Sequence, residues 1–408
     1  MKTERKFPYV LITKKQEKTI RSGHPWVYED EIEECSTEIE NGSLVDVLSE
    51  KRQYLGTGIY SATSKIRIRI LDKNANESFG EAFFIRRIHY ALEYRKKVMG
   101  EDFHSCRLIH GESDGLPGVT VDLYEDILVS EILSYGMDLR KEILYKALVN
   151  ELKEMNIHVR GIYERNEGAL RVKESLPQTK GWYPLEGLEK DVSPITRIYE
   201  NGIQYEIDVE NGQKTGFFLD QKYNRRAIHR ICKDAEVLEC CTHIGSFALN
   251  AIQGGAKHVT AMDISESALE NARKNAEINE MSDKVDFVCR DVFELLPEYI
   301  SEHKKYDVVL LDPPAFTKSR KTFQNAKNGY QKINAQAMKL VKRGGYFATS
   351  SCSHFMPMNE FKKMLSDAAM DASVSIRIIE ERKAAPDHPI LLSVPETDYL
   401  KFILVQIL

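Results

Sequence analysis

Two apolar runs, Asp307-Val308-Val309-Leu310-Leu311-Asp312-Pro313-Pro314 and Gly345-Tyr346-Phe347-Ala348-Thr349-Ser350-Ser351-Cys352-Ser353, constrain the fold more than anything else in this chain. Each is bounded by turn signals and reads as a strand buried on both faces, the signature of a parallel sheet covered by helices. Each also ends in a reactive side chain, Asp312 in one case and Cys352 in the other. In open α/β sheets ligands bind outside the carboxyl ends of the strands, so a carboxylate and a thiol fall on the rim of one crevice.

The surrounding sequence supports that reading from about residue 200 onward, where strand and helix signals alternate. Residues 236–239 predict a strand, 246–253 a helix closed by Gly254-Gly255, and 257–262 a second strand. Ser265 can cap a helix carrying Ala268, Leu269, Ala272 and Ala276 on one side. Residues 285–289, 307–311 and 345–350 supply three more strands. Such alternation defines a doubly wound α/β sheet. The last two strand signals, 374–380 and 399–408, have a long loop and no crossover helix between them, so this pair should be antiparallel.

The first part of the chain is different. Residues 43–48, 55–60 and 65–71 are β-rich, and the last of them alternates base with apolar residue, which would set Lys65, Arg67 and Arg69 on one sheet face. Beyond it, residues 81–98 predict a helix, 118–123, 127–132 and 159–163 strands, and 138–155 another helix, while 111–118 is dense in turn residues. The expected organisation is a β-rich domain over 1–72, an α+β domain over 73–195 and the α/β domain over 196–408.

A chain of 408 residues with 42% hydrophobic and 29% charged residues is of the globular, multidomain kind. The charged start Met-Lys-Thr-Glu-Arg-Lys lacks an apolar h-region, and no run is long enough to span a membrane, so a cytoplasmic protein is expected. Seven cysteines without paired CxxC spacing suit free thiols rather than a zinc site, and no metal is expected. The net charge of −5 argues against a nonspecific polyanion binder. Locally, however, residues 1–28 hold seven Lys or Arg against two acids, beside Trp26 and Tyr28. Lys14, Lys15, Lys18 and Arg21, with Lys65, Arg67 and Arg69, are therefore candidate RNA phosphate contacts, although a solvated helix face explains the charge equally well.

Val237-Leu238-Glu239-Cys240-Cys241-Thr242-His243-Ile244-Gly245 places an acid at a strand end and a glycine at the following helix start. GxGxxG is absent, which disfavours a nicotinamide cofactor. Acids instead recur at the ends of successive strands: Glu239, Asp263, Asp291 and Asp312. Asp263 follows Glu239 by 24 positions, near the spacing at which a carboxylate meets ribose hydroxyls in related folds. Four acids in register without a phosphate-cradling loop favour S-adenosylmethionine, which has a ribose, an adenine and an amino-acid end but no phosphate.

The chain resembles the PUA-domain-containing, Rossmann-like methyltransferases that make 5-methylcytosine in bacterial large-subunit ribosomal RNA. The resemblance rests on residues 23–28 (Gly-His-Pro-Trp-Val-Tyr), 107–118, 213–221 (Gln-Lys-Thr-Gly-Phe-Phe-Leu-Asp-Gln) and Asp387-His388-Pro389, and covers essentially the whole chain. It implies that Phe218 and Asp220 line the cofactor and that the segment from Glu239 through Cys241 and His243 to Gly245 holds its methionine end. It also implies that Asp263 takes the ribose and Asp291 the adenine. His243-Ile244 stand where relatives have Tyr-Thr, a departure that leaves the backbone role intact. A homodimer is compatible with the resemblance.

The resemblance assigns Cys352 as the nucleophile that adds to carbon 6 of cytosine, and Asp312 as the group that binds the N4 and N3 edge. The alternative for a lone cysteine is an inert thiol; strand-end position, the hydroxyl-rich setting and Asp312 on a neighbouring strand end reverse that preference. Cys240 and Cys241 are weaker candidates, and Cys289 is expected in the core. No second cysteine follows Asp312-Pro313-Pro314, so the C5 proton acceptor has no assigned residue. Two other readings remain: an N-methyltransferase using Asp312-Pro313-Pro314 and Phe316 on an exocyclic or ring nitrogen of guanine or adenine, and a noncatalytic RNA-binding assembly protein.

Overall fold

The computed structural model describes residues 7–189, 191–316 and 323–408, which divide into two compact units. One comprises residues up to Thr196 with Ile207–Phe217 and Pro386–Thr397; the other comprises Arg197–Glu206, Phe218–Ala385 and Asp398–Leu408.

The first unit holds two sheets. Strands Tyr9–Ile12, Trp26–Tyr28, Ile32–Cys35, Leu44–Ser49, Tyr54–Tyr60 and Ile66–Asp72 form a six-stranded sheet around a small core of Val10, Ile20, Val27, Val45, Val47 and Ile68. The helix Lys14–Arg21 is capped by Thr13, whose hydroxyl accepts from Gln16 N, and it buries Gln16 and Ile20 while its lysines face outward. Strands Ser105–His110, Val119–Tyr124, Ile127–Ile132, Gly161–Asn166 and Thr179–Trp182 make the second sheet, accompanied by helices Glu81–Met99 and Lys141–Glu154. The turn-rich segment is a short 3-10 turn, Gly111–Asp114, followed by Gly115 in the left-handed region at φ +67°.

Two bonds show why these sheets belong to one unit. Arg69 Nη2 reaches Glu174 Oε1 at 2.8 Å with both side chains nearly inaccessible, and Trp26 Nε1 donates to Glu112 at 2.9 Å. Arg69 and Arg67 are each only 8% exposed, and Arg67 donates to the Ser61 carbonyl and pairs with Glu29. This corrects the expected phosphate role of Arg67 and Arg69. A buried, paired guanidinium is an internal strut, because releasing it would strand the partner carboxylate. The alternating pattern was misleading because strand Ile66–Asp72 is covered on both faces.

The second unit is built on one seven-stranded sheet: β1 (Glu236–Cys240), β2 (His258–Asp263), β3 (Val285–Cys289), β4 (Tyr306–Leu311), β5 (Val341–Ser351), β6 (Ile376–Arg382) and β7 (Lys401–Ile407). Their spatial order is β3-β2-β1-β4-β5-β7-β6. The first five run parallel, and β7 is antiparallel to both neighbours, as the missing crossover helix required. One face is packed by a core in which Leu238, Val309 and Phe347 of the sheet meet Leu296, Ile333, Met338, Phe361 and Leu365 of the helices. Helices Ser246–Gln253 and Glu266–Ile278 start at the carboxyl edge, the second capped by Ser265 Oγ on Ala268 N.

Candidate active site

The carboxyl edge of β1, β2, β4 and β5 gathers the chemistry. After β1 the chain turns through Cys241 (φ +66°), His243 (φ +55°) and Gly245 (φ +81°), three left-handed positions of which only one is glycine. Strain of this kind persists only where the surroundings over-determine it. Here they do: His243 N donates to Asp263 Oδ2 at 2.9 Å, Thr242 N to the Met262 carbonyl at 2.9 Å, and Thr242 Oγ1 to Glu239. A Cβ on Gly245 would lie 3.2 Å from Ala272 Cβ, so this glycine serves the turn and the packing of the following helix.

Glu239 is 1% exposed, turned beneath the loop it braces, and burial pushes its carboxyl up to about 8. Asp263 stands half-exposed on the rim, its Oδ1 accepting from Ser265 N at 2.9 Å. Asp291 caps the next helix, Val292–Ser301, by accepting from Phe293 N at 2.7 Å. Beside these two acids, Ile264 is 70% and Phe293 37% exposed, a pair of large apolar side chains that the sequence reading overlooked. On the other side, the half-buried Phe218 meets the His243 ring edge-to-face at 5.0 Å. Asp220 is buried, with Oδ2 accepting from Tyr399 OH at 2.6 Å. Carboxylates oriented by backbone N–H groups next to apolar surface suit a nucleoside with a free diol, so these residues fit S-adenosylmethionine.

Asp312 is half-exposed, one residue beyond β4, and the parallel register Leu311↔Thr349 sets it level with Ser350 of β5. Its Oδ1 accepts from Gln221 Nε2 at 3.0 Å, and the same amide donates to Ser350 Oγ at 3.2 Å. Gln221 is aimed in turn: Asn224 Nδ2 donates to its Oε1 at 2.6 Å, and Arg382 Nε to Asn224 Oδ1 at 3.0 Å. A buried chain of polar groups thus fixes the carboxylate. The following Pro-Pro-Ala-Phe segment is held by Tyr330, whose ring packs on Phe316 at 4.4 Å and whose OH donates to the Pro314 carbonyl.

Cys352 lies one residue past β5, half-buried, with Tyr330 on the helix Phe323–Lys339 near enough for the two to influence each other's ionisation. Its counterparts differ. Cys240 is fully buried, and burial holds both it and Cys241 well above the ordinary thiol value. Cys289, expected in the core, is instead exposed at the open end of the edge strand β3. Candidate residues of the second unit therefore converge on one edge, whereas Lys14, Lys15, Lys18, Arg21 and Lys65 are exposed on the first unit. Arg21 is tied to Glu17 and Gln53 and Lys15 to Glu31; among the described residues Lys14 and Lys18 make no ion pair.

Comparison with known proteins gives the family of the chain. The S-adenosylmethionine-dependent methyltransferase family matches residues 181–404 and the PUA-like domain family residues 10–73. The chain is an S-adenosylmethionine-dependent methyltransferase with an amino-terminal PUA-like domain. It is 38% identical over 401 residues, 98% of each chain, to the ribosomal RNA large subunit methyltransferase I of Alteromonas mediterranea. With the corresponding protein of Aliivibrio fischeri it shares 39% over 394 residues, 96% of this chain and 97% of the relative. The chain belongs to the ribosomal RNA large subunit methyltransferase I family. A solved structure described as a methyltransferase complexed with SAH shares the fold, with a TM-score of 0.83 over 98% of this chain and 99% of that one, at 19% identity.

Proposed function

We propose that the chain methylates carbon 5 of a cytosine in large-subunit ribosomal RNA through a transient covalent bond from Cys352 Sγ. The observation that carries this reading is the placement of Cys352 and Asp312 just beyond adjacent parallel strands, on the edge where Asp263 and Asp291 suit a nucleoside cofactor. The names of the relatives supply the substrate class.

Carbon 5 of cytosine is a weak nucleophile. Addition of Cys352 Sγ to carbon 6 moves the C5=C6 electron pair onto carbon 5. Asp312, oriented by Gln221, binds the N4 amine and N3 edge and steadies the charge that builds on the ring. Bound S-adenosylmethionine supplies an electrophilic methyl group. Phe218, Asp220, Cys241, His243, Gly245, Asp263 and Asp291 form the cofactor's walls in this reading, with Glu239 bracing them from below. Loss of the C5 proton then restores the double bond and expels Cys352.

The N-methyltransferase reading is less well supported, because Phe316, which would stack the base, already packs against Tyr330 and Phe293. RNA is gripped by the exposed Lys14, Lys15, Lys18, Arg21 and Lys65. The division into domains 1–72, 73–195 and 196–408, with the first as the RNA-binding module, goes with this reading, as does a cytoplasmic setting for seven free cysteines. RNA bearing 5-fluorocytidine should trap a covalent complex with the wild-type protein and none with Cys352→Ala. Trapping that survives this substitution overturns the assignment.

A further inference from the structure

The second unit buries a lysine that the reaction as described leaves idle. Lys401, the first residue of β7, is 1% exposed and pairs in register with Ser351, the last residue of β5, so it stands next to Cys352 across the antiparallel ladder. Its Nζ donates to the Ser353 carbonyl at 2.5 Å and to the Tyr399 carbonyl at 2.7 Å. An ammonium has three protons, and these two bonds leave one.

A buried ammonium is costly without an anion. Among the described residues no carboxylate lies within ion-pair distance of Lys401, and the nearest acid in its sequence neighbourhood, Asp398, is engaged by Lys383 at 2.6 Å. The charges that act on the amine are Asp398, Lys383 and Cys352, and burial is the largest influence, bringing it down to about 8. Tyr330, raised to about 12 chiefly by burial, is influenced by both Cys352 and the Asp312 carboxylate. Among the described residues, Lys401 is a cation whose charge and that of Cys352 act on each other, and its Nζ is bonded to the carbonyl of Ser353, the residue after the sulfur.

Resting on the function proposed above, we infer that Lys401 is the positioning residue that holds Cys352 as a thiolate and stabilises it again as a leaving group. In the free protein the S–H proton is lost to water, and the thiolate that remains faces the Lys401 ammonium, which is already protonated at neutral pH. The sulfur lone pair forms the S–C6 bond, the C5=C6 pair moves to carbon 5, and that pair takes the methyl group as its bond to the sulfonium breaks. A water-borne base removes the C5 proton, the C–H pair re-forms C5=C6, and the S–C6 pair returns to sulfur beside the ammonium. Lys401 keeps its proton throughout, so it is not the C5 base.

The test is site-resolved alkylation of the full-length protein by iodoacetamide across pH, read at each cysteine by peptide mass spectrometry, without RNA or cofactor. Cys35, exposed on the first unit, is the internal standard. In Lys401→Met the pH midpoint for Cys352 should rise by about one unit, with about a tenfold slower reaction at neutral pH, whereas Cys35 is unchanged and Lys401→Arg stays near wild type. An unmoved midpoint in Lys401→Met overturns the inference. Should that variant fail to fold, the wild-type profile decides: a Cys352 midpoint at or above that of Cys35 overturns it equally, and one clearly below supports it. Because alkylation needs no methyl transfer, a lysine-dependent thiolate together with methylation that survives Cys352→Ala would sink the proposed function and leave this pairing standing.

Discussion

Two parallel strands of the same sheet, β1 and β5, carry cysteine at or just beyond their ends, Cys240 and Cys241 in one case and Cys352 in the other, and the two surroundings differ. At the end of β1, burial is the main influence that holds Cys240 and Cys241 protonated, and for Cys241 the Asp263 and Asp312 carboxylates add to it. At the end of β5, Cys352 is half-buried with the Lys401 amine behind it. Strand-end position alone therefore does not make a nucleophile. In the reading proposed above, burial keeps the thiols after β1 inert while the Lys401 amine makes Cys352 reactive.

The comparison is broken most directly by removing each sulfur in turn. Cys352→Ala should lower methyl transfer to large-subunit ribosomal RNA by roughly 10⁴-fold or more, with cofactor affinity nearly intact, whereas Cys241→Ala should stay within about threefold. Comparable losses from both, measured with labelled cofactor, would end the distinction. Next in size, Asp312→Asn keeps the shape but removes the charge at the base edge and should cost about 10²- to 10³-fold in kcat. Gln221→Ala, which removes the amide that donates to Asp312 and Ser350, should cost about tenfold, less than the 10²-fold that a 1 Å misplacement can bring. An unchanged kcat in that variant would show that Asp312 needs no orienting amide.

The smallest effect concerns pH. The Glu239 carboxyl is held at about 8 in the folded protein against an ordinary value of 4.5, so the native state binds the extra proton. Its stabilising contribution is complete below the ordinary value and is lost as pH rises to about 8. Glu239→Gln copies the protonated form and should show a Tm that falls a few degrees less than wild type between about pH 5 and pH 8.5. Parallel declines would mean that the buried carboxyl does not titrate in this window.

Much of the second unit was legible because strands such as β4 and β5 are compact apolar runs whose turns carry their own punctuation. The antiparallel finish followed from a missing helix alone. Short strands of the first unit, such as Tyr9–Ile12 and Trp26–Tyr28, were not read, since three or four residues carry too little period to distinguish from a loop. Arg67 and Arg69 misled for a different reason: their partners, Glu29 and Glu174, are remote in sequence, and alternation cannot say that both faces of a strand are covered. Cys289 misled because an edge strand looks the same as an inner one. Gln221 lay in a segment already singled out, yet nothing in its neighbours names Asp312, which is 91 residues away. Lys401 reads locally as a solvated lead-in to an apolar strand, and only the reversed direction of β7 brings it beside the thiol.

That reversal has a wider meaning. In a wholly parallel sheet the working edge receives only the last residues of strands and the loops that leave them. A single inverted strand feeds its opening residue to the same edge, delivering a long side chain from underneath without any insertion. A fold of this kind can therefore exchange the character of its nucleophile's backing, cationic, neutral or acidic, by one substitution at the head of one strand, while every loop facing solvent keeps its length and shape.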